Sequence, residues 1–106
     1  MRVTAWKNGK HSNPNVAYGL TIPRAARDRF FDRQWREVIL ILPGSEEVTA
    51  LLTPTFWTTC NELRGAHIGR WLRNEHLAPW PDGAPPSLEM TPVGGNRFAV
   101  TLPPRR

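Results

Sequence analysis

The side chains best suited to recognise a ligand are concentrated in two polar segments of the sequence. The first segment, residues 6–18, places ammonium, amide and imidazole groups between two aromatic residues. Side chains of these types donate to phosphate oxygens and to the edges of nucleic-acid bases. An ordinary solvent-exposed loop has a similar composition, and both interpretations stay open. The candidate contact residues in this segment are Lys7, Asn8, Lys10, His11, Asn13 and Tyr18.

The second segment, residues 56–65, places three base-reading side chains within four residues: Asn61, Glu62 and Arg64. Asparagine can pair with adenine, glutamate can accept a hydrogen bond from cytosine, and arginine can donate two hydrogen bonds to guanine. The alternative interpretation is structural, with Asn61 capping a helix and an ion pair inside that helix. Phe56 and Trp57 are interpreted as core or loop anchors.

The sequence lacks the residue patterns typical of catalysis. The nine carboxylates form no recognisable motif, and the three histidines have no metal-ligand spacing. Cys60 has no evident base nearby in sequence, and the glycines form neither a GxGxxG motif nor a P-loop. We therefore expect no catalytic residues, no metal and no cofactor, with any catalytic domain on another chain or region. A small nuclease with an unrecognised site is the alternative.

The charge balance favours an anionic partner. The sequence has 14 lysine and arginine residues against 9 aspartate and glutamate residues, which gives a formal net charge of +5. Only Lys7 and Lys10 are lysines, and arginine suits phosphates and guanine edges. We therefore expect a nucleic acid as the partner. A GC-rich genome would also enrich arginine, and a domain that binds an acidic protein is a further alternative.

The length of 106 residues fits one domain, predicted over residues 1–102 with a tail at 103–106. No apolar run is long enough to span a bilayer, and the first ten residues do not resemble a signal peptide. The single cysteine is compatible with a reducing compartment. These features predict a cytoplasmic protein without a membrane partner, with a monomer favoured.

Hydrophobic periodicity predicts a mainly β fold with two short helices. The run 38–42 is continuously apolar, which is typical of a strand buried on both faces, and 93–96 is a hairpin signal. Segment 79–86 fits no pattern. A small barrel with helices at its ends is the expected architecture. The predicted strands are 2–6, 18–22, 37–42, 47–53, 87–92 and 97–102, and the predicted helices are 24–33 and 66–76.

The order of these elements, with Tyr18-Gly19-Leu20-Thr21-Ile22-Pro23 leading into residues 27–31, resembles the B-three DNA-binding domain. The pattern is more similar to the prokaryotic branch, the effector domains of certain restriction endonucleases, than to the plant transcription factors. The resemblance implies a seven-stranded open pseudobarrel that grips the DNA major groove with two arms. By this resemblance, 6–18 is the N-terminal arm and 56–65 is the C-terminal arm, in a module that serves a restriction-modification system.

A second resemblance concerns a shorter stretch. Residues Gly19-Leu20-Thr21-Ile22-Pro23-Arg24 also look like the entry from strand to helix in AbrB-type transcriptional regulators. Those regulators are shorter and dimeric, and about seventy residues of this chain would stay unexplained. An AbrB-like regulator is therefore the runner-up.

Overall fold

The fold was analysed in a computed structural model that describes residues 1–7, 18–81 and 83–102. It contains seven strands, two α-helices and one 3-10 helix, Pro54–Trp57, in this part of the chain. The strands are β1 (Arg2–Lys7), β2 (Tyr18–Thr21), β3 (Glu37–Ile41), β4 (Glu47–Leu51), β5 (Glu62–Arg64), β6 (Ser87–Gly94) and β7 (Arg97–Thr101). The helices are α1 (Arg24–Phe30) and α2 (Ala66–Asn74).

The seven strands form one closed ring in the order β1-β2-β5-β4-β3-β7-β6. A ring with an odd number of strands cannot be antiparallel throughout, and here β3 and β7 form the parallel pair. The mainly β fold with seven strands and two short helices is confirmed. The expected open pseudobarrel is instead closed, because β1 pairs with both β2 and β6 and leaves no free edge. The joint between β4 and β5 is the shortest, with the single residue pair Leu51–Arg64.

Alternate residues of each strand point into the barrel and form its core. Leu40 and Ala50 show the alternation on the neighbouring strands β3 and β4, since both are fully buried between more exposed neighbours. Three phenylalanines extend this core. Phe31 stacks on Phe98 with ring centroids 4.8 Å apart, and it contacts Phe56 at 5.2 Å.

The prediction that β3 is buried on both faces is wrong. Val38 and Leu40 are fully buried, but Ile39 and Ile41 are only half-buried on the outer face. This face is crossed by an ion pair between the two strands that flank β3, since Arg97 on β7 lies 2.9 Å from Glu47 on β4. The outward-facing isoleucines of the apolar run are therefore partly covered by long polar side chains and not by a second layer of the core.

The two helices lie where the sequence places them. Helix α1 follows Pro23 and ends at Phe30, three residues earlier than predicted, because Phe31 is extended and enters the core. Helix α2 buries Ile68, Trp71 and Leu72, and none of the described helices is long and apolar enough to cross a membrane.

The proline-rich connection between α2 and β6, which the sequence left without an assignment, is anchored to the barrel at two points. Trp80 packs against Tyr18, with ring centroids 5.3 Å apart. Nearer to β6, the backbone N–H of Ala5 donates to the carbonyl oxygen of Pro86 at 2.9 Å. The connection thus closes over the barrel instead of extending into solvent.

The different burial of the two faces of β3 generates a stability prediction. Leu40→Ala removes a fully buried side chain and should lower the free energy of unfolding by about 2–5 kcal/mol. Ile39→Ala removes a half-buried side chain and should cost roughly half as much. Urea denaturation of both variants measures the difference. Equal losses would contradict the assignment of Ile39 to the outer face.

Candidate nucleic-acid interface

The outer face of strands β1, β2 and β5 brings together residues that are far apart in the sequence. The strand registers align Trp6 with Gly19 and Gly19 with Arg64, so these three residues form one row across the sheet. Their strand neighbours Ala5, Leu20 and Leu63 point into the core. The side chains of Trp6 and Arg64 therefore lie on the outside of the barrel.

Arg64 stacks on Trp6 across β2. Their Cα atoms are two strand spacings apart, about 10 Å, yet the Cζ of Arg64 lies 4.7 Å from the centroid of the Trp6 ring. Gly19 lies between them and has no side chain to block the guanidinium. Stacking uses the flat face of the guanidinium and leaves the N–H groups at its edge available to a ligand. The row therefore presents an oriented arginine.

The position of Gly19 also tolerates no larger residue. A Cβ atom there would collide with the carbonyl oxygen of Leu63 and would lie 3.3 Å from Cε3 of Trp6. One of these contacts is to backbone, which cannot rotate away. Glycine at this position thus permits both the close approach of β2 to β5 and the stacking of Arg64 on Trp6.

A second row lies on the same face, two residues away from the first row along each strand. In this row Thr4 aligns with Thr21 and Thr21 aligns with Glu62. Glu62 is half-buried, and its Oε2 atom is buried with no hydrogen-bond partner among the described residues. A carboxylate accepts hydrogen bonds and donates none, and leaving a buried acceptor unpaired costs free energy. The strand register places Glu62 on the same face as Arg64, with this oxygen turned away from solvent.

Asn61 has a structural role in this arrangement. Its side-chain amide donates to the carbonyl oxygen of Ile22, and its own carbonyl oxygen accepts from the N–H of Ile22 at 2.8 Å. These bonds tie the start of β5 to the end of β2. The alternative interpretation of Asn61 as a helix cap is wrong, because the residues that follow it form a strand.

The predicted residues of the first segment have different placements. Lys7 ends β1 and is exposed, beside the row that contains Trp6. Tyr18 is only 5% exposed, and its ring packs on Trp80, so it contributes to the core and has almost no surface to present to a ligand. The predicted contact residues Asn8, Lys10, His11 and Asn13 lie outside the described residues.

The two predicted arms connect to opposite ends of this face. Lys7 pairs with Tyr18 at one end, where β1 leads into segment 8–17 and β2 follows it. Thr21 pairs with Glu62 at the other end, where the connection that contains Pro54–Trp57 enters β5. Phe56 is fully buried there, in agreement with its predicted anchoring role. The rows of Arg64 and Glu62 thus lie between the end of the face that leads into residues 8–17 and the end at which the Pro54–Trp57 connection enters β5.

The prediction from sequence missed Trp6 and Gly19 as members of the site. The sequence contained a signal for each residue. Trp6 continues the outward alternation of β1, and Gly19 is a glycine inside a strand, which often marks a close approach of another backbone. Their partnership with Arg64 depends on strand register. The described residues contain no group of three or more histidine, cysteine, aspartate or glutamate residues that could hold a metal ion.

Comparison with known proteins identifies no relative. No family model matches the chain, and neither a curated protein nor a solved structure matches it.

The close approach at Gly19 generates a prediction with a matched control. Gly19→Ala should lower the free energy of unfolding by about 1–3 kcal/mol, because the added methyl group forces β2 away from β5. Gly65→Ala adds the same group where the nearest atom is 3.9 Å away, and its cost should stay below about 1 kcal/mol. Chemical denaturation measures both. A Gly19→Ala protein as stable as Gly65→Ala would refute the close packing at this row.

Proposed function

We propose that this chain is a sequence-specific double-stranded DNA-binding module. In this proposal the outer face of β1, β2 and β5 meets the major groove. Segments 6–18 and 56–65, which include parts of these strands, are the two arms. The observation that supports it best is the stacking of Arg64 on Trp6, which fixes an exposed arginine on a rigid sheet. The net charge of +5 supplies the attraction to a polyanion.

Arg64 is the proposed reader of guanine. The edge of a guanidinium donates two parallel hydrogen bonds to O6 and N7 of guanine, and this is the commonest specific contact in the major groove. Stacking on Trp6 restricts the side chain before DNA arrives, so less rotamer entropy is lost on binding. A lysine at the same position would keep the charge but lose the paired hydrogen bonds.

Glu62 is the proposed reader of cytosine. A carboxylate is the type of acceptor that recognition of the cytosine N4 amino group requires, and the strand register places Glu62 on the face of Arg64. Glu62 and Arg64 lie two positions apart on one strand, which is about 7 Å, close to two base-pair steps of DNA. The two side chains therefore suit positions two base pairs apart in one short recognition sequence.

Phosphate contacts are assigned to the basic residues of the first segment. Lys7 is exposed at the edge of the reading face, and Asn8, Lys10, His11 and Asn13 follow it in the sequence. Such contacts fix the position of a protein on DNA without reading its sequence. A role as the recognition domain of a restriction-type system, or as a transcriptional regulator, is compatible with this chemistry.

A monomeric module is part of the proposal. The strands of the ring pair with one another all the way round, so no strand edge needs a second copy of the chain. This arrangement favours the barrel over the shorter dimeric AbrB-like alternative, whose fold depends on two chains.

The first prediction of this proposal concerns salt. Affinity for duplex DNA should fall linearly on a log-log plot with rising salt, with a slope of several units for about four to eight neutralised phosphates. Fluorescence anisotropy with a labelled random duplex, from low to physiological ionic strength, measures the slope. A flat profile would eliminate electrostatic DNA binding.

The second prediction separates base reading from phosphate contact, once selection from a random pool has identified a preferred duplex. Arg64→Ala should lose about 1–3 kcal/mol for the preferred duplex and little for a random duplex. Lys7→Ala should weaken both and lower the salt slope by about one unit. Thermal melts first establish that both variants are folded.

The two variants serve as controls for each other, because each removes one exposed positive charge. If folded Arg64→Ala keeps the full preference for the selected duplex, Arg64 is not a base reader. If both variants lose affinity equally on both duplexes, the face contributes charge alone and the proposal of specific reading is wrong.

A further inference from the structure

A second cluster of arginine and tryptophan lies at the end of the barrel where β2 ends and β5 begins. It consists of Arg27, Arg33 and Trp57, and we call it the Trp57 cluster. The Cζ of Arg33 lies 4.7 Å from the centroid of the Trp57 ring, and the Cζ of Arg27 lies 5.6 Å from it. Two guanidinium groups therefore share one indole ring.

The cluster is built on the hydrophobic core. Trp57 follows the fully buried Phe56, and their rings are perpendicular with centroids 5.4 Å apart. Arg27 is only 7% exposed, and its Nη1 donates to the carbonyl oxygen of Phe56 at 3.1 Å. These contacts fix the indole ring and place one buried arginine beneath the exposed one.

The charge of Arg33 is exposed, and no carboxylate of the described residues pairs with it. Asp28 accepts a hydrogen bond from Nε of Arg27 at 3.0 Å and so offsets the charge of that arginine. Among the described residues, no carboxylate lies within ion-pair distance of Arg33, and its one recorded contact is the Trp57 ring. An aromatic ring attracts a cation but does not neutralise it, and the N–H edge of Arg33 stays available.

The surrounding sequence strengthens the local positive field. Residues 24–33 contain four arginines and two aspartates, and Arg24, Arg29 and Arg33 are all exposed. An exposed guanidinium that is held by a ring and lies in a positive field suits a planar or tetrahedral oxyanion. The oxygens of a carboxylate or a phosphate match the fork of an arginine with two parallel hydrogen bonds, and phosphate is the one that the proposed DNA partner carries.

We infer that the Trp57 cluster is a phosphate-binding site, in which Arg33 contacts the phosphate and Trp57 and Arg27 are positioning residues. The inference rests on the proposed function, because the phosphate of the DNA backbone is the source that the position of the cluster favours. The cluster contains Trp57 of the second flanking segment and lies at the opposite end of the reading face from Lys7. Each end of that face would then carry its own phosphate contact.

The first test compares two arginines of the same connection. Arg33→Gln removes the charge that stacks on Trp57, while Arg36→Gln removes an exposed charge for which no ring contact or ion pair is recorded in the described residues. The loss of one phosphate contact lowers the slope of log affinity against log salt by about 0.9. If the two proteins bind equally at 1 M salt, Arg33→Gln should therefore bind about eightfold more weakly than the unsubstituted protein at 0.1 M salt. Arg36→Gln should lose less than about twofold.

Three outcomes of this titration on a random duplex are decisive. A selective loss in Arg33→Gln supports the site. Equal losses in both variants mean that bulk charge is responsible and overturn it. No loss in Arg33→Gln, while the unsubstituted protein binds duplex, overturns the site and leaves the proposed function intact.

The second test distinguishes the source of the phosphate. The Nε–H signals of the arginines are followed by NMR in the unsubstituted protein, with the Arg33 signal assigned from its absence in Arg33→Lys. Saturable shifts of this signal with a short duplex, and none with inorganic phosphate up to millimolar concentration, support a backbone site. Saturation by inorganic phosphate in a protein that binds no duplex keeps the phosphate site and refutes DNA binding. No shift with either probe overturns the site.

A variant of the ring tests the positioning role. Trp57→Leu keeps both arginines and removes the surface on which Arg33 stacks. It should lower duplex affinity about as much as Arg33→Gln, and adding Arg33→Gln to it should cause little further loss. Full additivity of the two losses would show that Trp57 does not position Arg33. A thermal melt of each variant establishes folding before the titration.

Discussion

The closure of seven strands into one ring is the constraint on which the rest of this structure depends. Because the number is odd, one neighbouring pair must be parallel, and that pair is β3 and β7. Parallel neighbours cannot be joined by a tight turn. The chain between them forms β4, β5, α2 and β6, so the second flanking segment and the proline-rich connection both belong to this long crossover.

The ring also explains why the candidate site is on a sheet face. Strand register, and not loop conformation, aligns Trp6, Gly19 and Arg64, and the inward neighbours of these residues are locked into the core. Sites on regular elements hold their side chains more precisely than sites on loops. The Trp57 cluster is held in a different way, since a buried arginine and a buried phenylalanine fix the half-buried Trp57 beside the exposed Arg33.

Local patterns in the sequence predicted much of the fold, and the non-local features escaped them. The alternation in β4 and the glycine-rich turn of the last hairpin are local signals, and both elements lie where they were expected. Strand β5 is only three residues long, too short for a periodicity to be recognised. The stacking of Arg64 on Trp6 joins residues 58 positions apart through two strand registers, which no window of sequence contains.

The single residue pair between β4 and β5 has a mechanical consequence. Every other joint of the ring has three or more paired positions, so the ring deforms at the lowest cost where Leu51 meets Arg64. Strand β5 carries Glu62 and Arg64, so the proposed reading surface borders the joint with the fewest backbone pairs.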